Sequence, residues 1–372
     1  MNKRIKKVFV DYIPTLSKVH ELRRDPQRYA LREITPTSCT LMLTDRCNLK
    51  CVMCAQYSKV HRDDELSAAD WKGIIKDLKR NGIKNIHFSG GEPLLRKDAL
   101  IELVAFCRDS CLVTGLTTNG TLIEEEALNR LIGAGLRSIA VSIDALDRKY
   151  DEIRGVPRSF EKVRAAVTLI SEIKKKKGVD AYINFTLFKE TLDEFTKVKG
   201  LADDHGLPVG VCLYDDTSYL FKKQYGRRKQ HWIEEDDDHD KLKILLQYLR
   251  SEKRKNPRSL LLNFPMIDYI GEYFKDPLQR HIPCVSSQDR IIVDPYGMLM
   301  GGCLSMGSFG SLKSKTFGEL KNEDRYKRAK KNMFYKECPG CSCGYQYNIR
   351  CLPDLVAKDC AQRIKNTIKG IR

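Results

Sequence analysis

From residue 38 onward, short apolar runs rich in β-branched residues alternate with longer stretches in which apolar side chains recur every three to four positions. The short runs are Cys39–Leu43, Ile83–Phe88, Leu112–Thr117, Ser138–Ile143, Ala181–Phe188 and Val209–Leu213, and each reads as a strand. The longer stretches, Ser67–Arg80, Lys97–Arg108, Glu124–Gly133, Ser159–Lys176 and Leu192–His205, have helical period. The first is well started, because Ser67 stands three residues before Asp70 and Trp71, Ile74, Ile75 and Leu78 share one face. Strands that alternate with helices pair in parallel through right-handed crossovers, so the fold class is α/β. The alternation fits an open doubly wound sheet and a partial barrel equally. In both, ligands gather at the C-terminal ends of the strands.

The pattern changes on either side of this region. Residues 1–37 form a short basic segment of weak helical character, and the alternation is lost between about 215 and 245. We divide the chain into a basic N-terminal segment (1–37), an α/β core (38–230) and a C-terminal region (231–372). The last begins with a helix near Asp240–Lys255 and continues into a tail rich in Pro, Gly and Cys. Within that tail, Ile291–Val293, a DPYG turn and Met298–Met300 read as a hairpin.

The chain has 372 residues, 42% of them hydrophobic and 31% charged, which suits a soluble globular protein. It shows no apolar run of membrane-spanning length, and its first residues have no apolar core or cleavage site of a secretory signal, so a cytoplasmic location is expected. The net charge of +17 raises the question of a nucleic-acid or membrane partner. The cations are spread along the chain, however. The Lys174–Lys177 run falls where a helix ends and its dipole favours positive charge, and Glu234–Asp238 interrupts the basic surface. Both partners are therefore disfavoured. Fourteen cysteines in a chain of this kind point to metal rather than disulfides.

Three of those cysteines, Cys47, Cys51 and Cys54, stand at C-x3-C-x2-C spacing on the loop after the first strand. Three thiolates on one loop can hold a cube-shaped iron–sulfur cluster and leave one iron without a protein ligand, whereas a structural zinc site calls for four ligands. The motif and its position resemble those of the radical S-adenosylmethionine (SAM) superfamily. The resemblance implies a partial (β/α)6 TIM-type barrel whose 4Fe–4S cluster binds SAM through its open iron. One electron then breaks the C5′–S bond, and the 5′-deoxyadenosyl radical abstracts a substrate hydrogen. The family usually has an aromatic residue before the third cysteine; here Met53 takes that place, an adaptable apolar side chain suited to packing near adenine.

Other motifs follow in the family's order. Gly90, Gly91, Glu92 and Pro93 end the second strand and resemble the GGE motif, whose backbone and carboxylate engage the SAM amino group. Asn119 follows the third strand, and Ser142 and Asp144 follow the fourth. These match positions of SAM contact, although Asn, Ser and Asp also favour turns and caps for their own sake. Arg154, in the next loop, would pair with the SAM carboxylate, with a surface ion pair as the alternative, and Leu213 would place backbone near adenine. His61, His87 and His205 receive no catalytic role, His87 being a strand residue packed or facing the barrel interior. Cys39, Cys107, Cys111 and Cys212 are expected in the core.

A second set comprises Cys284, Cys303, Cys338, Cys341, Cys343, Cys351 and Cys360. The hairpin brings the first two together, and CPGC forms a tight knuckle. The set resembles the SPASM or twitch extensions of radical SAM enzymes, which carry auxiliary 4Fe–4S clusters. One auxiliary cluster is implied and two are open, since Cys343 follows Cys341 more closely than in the family; a zinc knuckle is the rival for this region alone. Auxiliary clusters favour net oxidation of the substrate, a peptide or a small molecule, with an external reductant such as flavodoxin or ferredoxin. The alternative is an iron–sulfur or zinc protein that carries electrons or binds nucleic acid without SAM chemistry.

Overall fold

The computed structural model describes residues 24–25, 36–54, 62–214, 231–275, 284, 286, 290–304 and 307–334. In chain order these give β1 (Ser38–Met42), α1 (Ala68–Arg80), β2 (Asn85–Ser89), α2 (Lys97–Asp109), β3 (Val113–Thr118), α3 (Glu125–Ala134), β4 (Ser138–Ser142), α4 (Asp147–Arg154), α5 (Ser159–Lys177), β5 (Asp180–Leu187), α6 (Phe195–Asp204) and β6 (Val209–Leu213). The C-terminal region adds α7 (Asp236–Lys255), α8 (Phe264–Lys275), β7 (Arg290–Val293), α9 (Phe317–Asn322) and α10 (Asp324–Phe334).

All neighbouring strands are parallel, in the order β6-β5-β4-β3-β2-β1-β7. The sheet curls into a half-barrel with helices against it, the partial TIM-type barrel implied by the motif order. The expected six strands are present, and β7 is an addition. It comes from the C-terminal region and pairs with β1 from Ser38↔Arg290 to Leu41↔Val293. The hairpin after it is real: the Ile292 N–H donates to Gly301 O, and the Met300 N–H donates back to Ile292 O at 2.8 Å.

Side-chain alternation explains how the sheet is buried. Leu41, Phe88, Leu116, Val141, Ile183 and Val211 occupy one face and belong with Trp71, Leu103, Val163 and other helix residues to one large core. The opposite face holds Thr40, His87, Thr117, Ser142, Asn184 and Cys212, all half-buried and all small or polar. His87 and Thr117 meet across this face at 2.7 Å, as do Cys212 and Asn184 at 3.2 Å. Gly115 leaves room for the imidazole, since a Cβ there would lie 2.7 Å from His87 Nδ1.

Element starts and stops follow local chemistry. Ser67 and Asp70 cap α1 reciprocally, the lysine run forms the last turn of α5, and the acidic run opens α7. Two expectations need correction. Arg154 lies not in a loop but at the end of α4, with Gly155 closing the helix in the left-handed conformation. Of the four cysteines expected in the core, Cys39 and Cys107 are buried, Cys212 is half-buried on the polar sheet face, and Cys111 is exposed in the turn before β3. Among the described residues, no helix is long and apolar enough to cross a membrane.

The alternation makes a stability prediction. Phe88→Ala removes a fully buried ring and should cost about 3–5 kcal/mol, whereas Val113→Ala, at a site 51% exposed, should stay within about 0.5 kcal/mol. Chemical denaturation of the two variants checks this, and similar costs would refute the assignment of faces.

Candidate cluster and SAM site

The three-cysteine loop leaves the C-terminal end of β1 and is held from three sides, by main-chain contacts from β2 and α4 and by the Glu65 carboxylate. From β2, the Gly91 N–H donates to Thr44 O at 2.7 Å and the Glu92 N–H to Arg46 O at 2.8 Å. A Cβ on Gly91 would lie 2.1 Å from Arg46 O, and one on Gly90 would lie 2.4 Å from Thr44 O, so only glycine permits this approach. From α4, the carbonyls of Arg154 and Ile153, unpaired at a helix end, accept from Lys50 and Val52, each at 2.9 Å. Glu65, beyond the loop, accepts from Thr44 Oγ1 and the Asp45 N–H, both at 2.8 Å.

Glu92 is fully buried, and its carboxylate is engaged by the protein itself. One oxygen accepts from the Leu94 N–H at 3.0 Å and Thr118 Oγ1 at 2.8 Å, and the other from the Asn119 N–H at 2.8 Å. Burial raises its pKa, with these donors and Arg154 opposing. The carboxylate thus ties the turn after β2 to the end of β3. Asn119, so placed, donates through Nδ2 to Asn48 Oδ1 at 2.9 Å and lies 3.9 Å from Cys47 Sγ.

Asp144 and Arg154 form a buried ion pair beside the loop. Asp144 also accepts from the Thr186 N–H at 2.7 Å, while Arg154 Nη1 lies 3.6 Å from Cys51 Sγ. Each terminal nitrogen of the guanidinium thus has one partner, while its Nε has none. Met53 is buried against the core, Pro93 opens a short 3-10 turn, Ser142 is half-buried at the end of β4, and Leu213 is buried at the end of β6. Every SAM-pocket residue named from the sequence therefore falls at or just beyond a strand's C-terminal end, except Met53 in the cysteine loop and Arg154 at the end of α4. Sequence reasoning missed Asn48, Thr118 and Glu65, polar residues that position the loop.

Among the described residues, no three His, Cys, Asp or Glu side chains converge tightly enough to hold a metal ion. A four-iron cube spreads its thiolates further apart than a single ion does. The donors at the sulfurs fit the larger group: the Leu49 N–H and Asn119 reach Cys47, and a cation reaches Cys51. Burial, joined by Cys51, Glu92 and Cys54 and opposed by the Leu49 N–H, pushes the Cys47 thiol up to about 11, so ligation must displace its proton. In the second set, Cys284 and Cys303 are buried together with Met333. Cys338, Cys341, Cys343, Cys351 and Cys360 lie outside the described residues.

Fold and site together define a half-barrel α/β protein that presents a three-cysteine loop and a diglycine turn at the C-terminal ends of its strands. Residues 41–202 match the family model for the Radical SAM superfamily, a family that uses a 4Fe–4S cluster and SAM. The chain is similar to Fe-coproporphyrin III synthase of Methanosarcina barkeri, with 35% identity over 173 residues, 46% of this chain and 42% of that protein. It is also similar to PqqA peptide cyclase of Gluconobacter oxydans, with 32% identity over 173 residues, 46% and 47% of the two chains. The matched part thus spans about half the length of these curated relatives. In fold, the chain is similar to Streptococcus suis SuiB bound to S-adenosylmethionine, with TM-score 0.63 and 18% identity over 84% of this chain and 71% of that one.

The geometry makes two predictions. Gly91→Ala should displace the loop and sharply lower the iron and sulfide retained after anaerobic reconstitution; wild-type content would disprove the close-approach argument. His87 is the second case, because burial, with Arg290 nearby, brings its pKa from 6.5 to about 4. Between those values the unfolded chain binds a proton that the native state does not. Stability is therefore full above the unfolded value and falls as pH drops toward the folded one, by about 2–3 kcal/mol. Urea melts of wild type and His87→Gln at about pH 7 and about pH 4.5 should show a smaller loss in the variant.

Proposed function

We propose that this chain is a radical SAM enzyme in which Cys47, Cys51 and Cys54 hold a 4Fe–4S cluster, with SAM bound between the Gly90–Gly91 turn and the ends of β3, β4 and β6. The observation that carries this reading is the contact of the diglycine turn with the base of the cysteine loop, Gly91 N–H to Thr44 O at 2.7 Å. It joins the two signature motifs at one end of one sheet. Bound there, cluster and SAM would supply reductive cleavage of the sulfonium and hydrogen abstraction from a substrate.

The protein's own contribution is placement. Glu92 and Asn119 fix the end of β3, Met53 and Leu213 offer apolar surface for an adenine, and Ser142 stands half-buried for a ribose or substrate hydroxyl. Asp144 and Arg154 set the charge next to the loop. Cys284 and Cys303, packed together, would join Cys338 and Cys341 in an auxiliary 4Fe–4S cluster, with Cys343, Cys351 and Cys360 available for a second. Such a cluster accepts an electron from a substrate radical, which makes the net reaction an oxidation and the enzyme an oxidoreductase.

The substrate is a peptide or a small molecule. Both classes occur among the relatives, a PqqA peptide cyclase and an Fe-coproporphyrin III synthase. The half-buried polar face of Thr40, His87, Thr117, Asn184 and Cys212 offers hydrogen-bonding groups to either. We place the enzyme in the cytoplasm, served by an external one-electron donor such as flavodoxin or ferredoxin.

Anaerobically reconstituted protein, reduced with dithionite in the presence of SAM, should release 5′-deoxyadenosine. Cys51→Ala should lower that release by at least about 10²-fold. Absence of the product, or full activity in Cys51→Ala, refutes the reading.

A further inference from the structure

We propose that Arg154 is a charge-balancing residue of the three-cysteine centre: it donates to the Cys51 sulfur and favours the reduced, more negative state of the cluster. The inference rests on the reading that Cys47, Cys51 and Cys54 hold an iron–sulfur cluster. It assigns Arg154 a role toward the cluster itself, separate from the carboxylate clamp that the family resemblance implies.

The geometry is specific. The side chain of Arg154 is 6% exposed. Nη2 pairs with Asp144, Nη1 lies 3.6 Å from Cys51 Sγ, and the guanidinium carbon lies 5.3 Å from the centre of the Tyr150 ring. Its Nε is buried with no hydrogen-bond partner. A guanidinium has five N–H donors, and leaving one of them orphaned in the interior is costly unless an acceptor arrives. Cluster sulfides and a SAM carboxylate are both acceptors of the right sign.

The two sulfurs are also treated unequally. Cys47 meets dipoles, from the Leu49 N–H at 3.5 Å and the Asn119 amide at 3.9 Å. Cys51 meets a full positive charge. Asp144 pairs with Nη2 from one side, and the side of the guanidinium toward Cys51 still has an N–H, on Nε, without an acceptor. Thiolates and sulfides of a cluster would supply acceptors and negative charge on that side. In a site of low dielectric, a cation within 4 Å of a ligand sulfur lowers the energy of each electron added to the cluster, and hydrogen bonds to sulfur are an established determinant of cluster potential. Backbone contacts make the arrangement rigid, since Arg154 O also accepts from Lys50, one residue before Cys51.

The test is an EPR-monitored redox titration of reconstituted protein without SAM, alongside iron and sulfide analysis. Arg154→Gln should shift the midpoint to more negative potential, and Arg154→Lys should lie closer to wild type because the charge is retained. Should Arg154→Gln alone fail to take up a cluster, the Asp144→Asn/Arg154→Gln double variant removes the buried pair together and should show a smaller negative shift. A midpoint that matches wild type in these variants, with only the SAM-induced change of the EPR signal lost, overturns the proposal and leaves Arg154 a ligand clamp. Wild-type protein that reduces normally but yields no 5′-deoxyadenosine would instead refute the proposed function and leave the comparison of potentials valid.

Discussion

The site depends on how closely two backbones can approach. The turn after β2 lies directly on the base of the cysteine loop after β1, with Gly91 donating to Thr44 and Glu92 to Arg46. There is no volume for a side chain at either glycine, because the first atom of one would fall well inside contact distance of a carbonyl oxygen. Parallel strands fix the ends of β1 and β2 side by side through five paired residues, but they leave the path of each loop beyond the strand ends open. The diglycine turn converts adjacent strand ends into a defined loop position, and that position sets where the three cysteines project.

Other contacts extend this anchor around the sheet. Glu92 commits its carboxylate to β3, so the loop after β1, the turn after β2 and Asn119 move as one unit. The end of α4 adds a second support. Helix C-terminal carbonyls need donors, and the N–H groups of Lys50 and Val52 satisfy two of them. The loop would otherwise leave polar backbone unpaired near the interior, so helix and loop solve one another's deficit. Gly155 is required at this junction for two reasons: its φ of +67° ends the helix, and a Cβ would lie 2.5 Å from Lys50 O. Folding of the barrel thus builds most of the site before any cofactor is considered.

Much of this is legible in the residues. The strands and their flanking helices stand out because buried parallel strands are strongly apolar and the helices carry clean stripes, as Trp71, Ile74, Ile75 and Leu78 do in α1. Spacing locates the cysteine loop and order locates the turn after β2. The elements that sequence reasoning misses have physical reasons. In α4 the buried residues are Tyr150, Ile153 and Arg154, so its inward stripe includes a charge and does not register as hydrophobic. In α8, Pro265 and Gly271 resemble loop signals, although Asn263 caps the Met266 N–H and proline is harmless in a first turn. Cys111 looks like a core residue from its neighbours, but it occupies a left-handed turn position with φ of 57° and is exposed to solvent. Two of the groups that Glu92 and Arg154 bind cannot be read from the sequence, since they are distant in it: Thr118 from β3 and Cys51 from the loop.

The seventh strand bears on why the C-terminal region belongs with this site. β7 pairs with β1, the strand that launches the cysteine loop, rather than with the far edge at β6. The turn after β7 then touches the segment returning from that loop: Pro295 O accepts from the Leu66 N–H at 2.8 Å, and Arg62 stacks over the Tyr296 ring at 4.2 Å. Leu66 adjoins Glu65, whose carboxylate holds Thr44 and Asp45. Arg96 donates to both Leu43 O and Leu66 O, which closes the circuit. A short chain of hydrogen bonds therefore runs from the hairpin between Cys284 and Cys303 to the residues just before Cys47. The hairpin that leads to Cys303 is thus tied, through Leu66, Glu65 and Arg96, to Thr44 and Asp45 at the start of the three-cysteine loop.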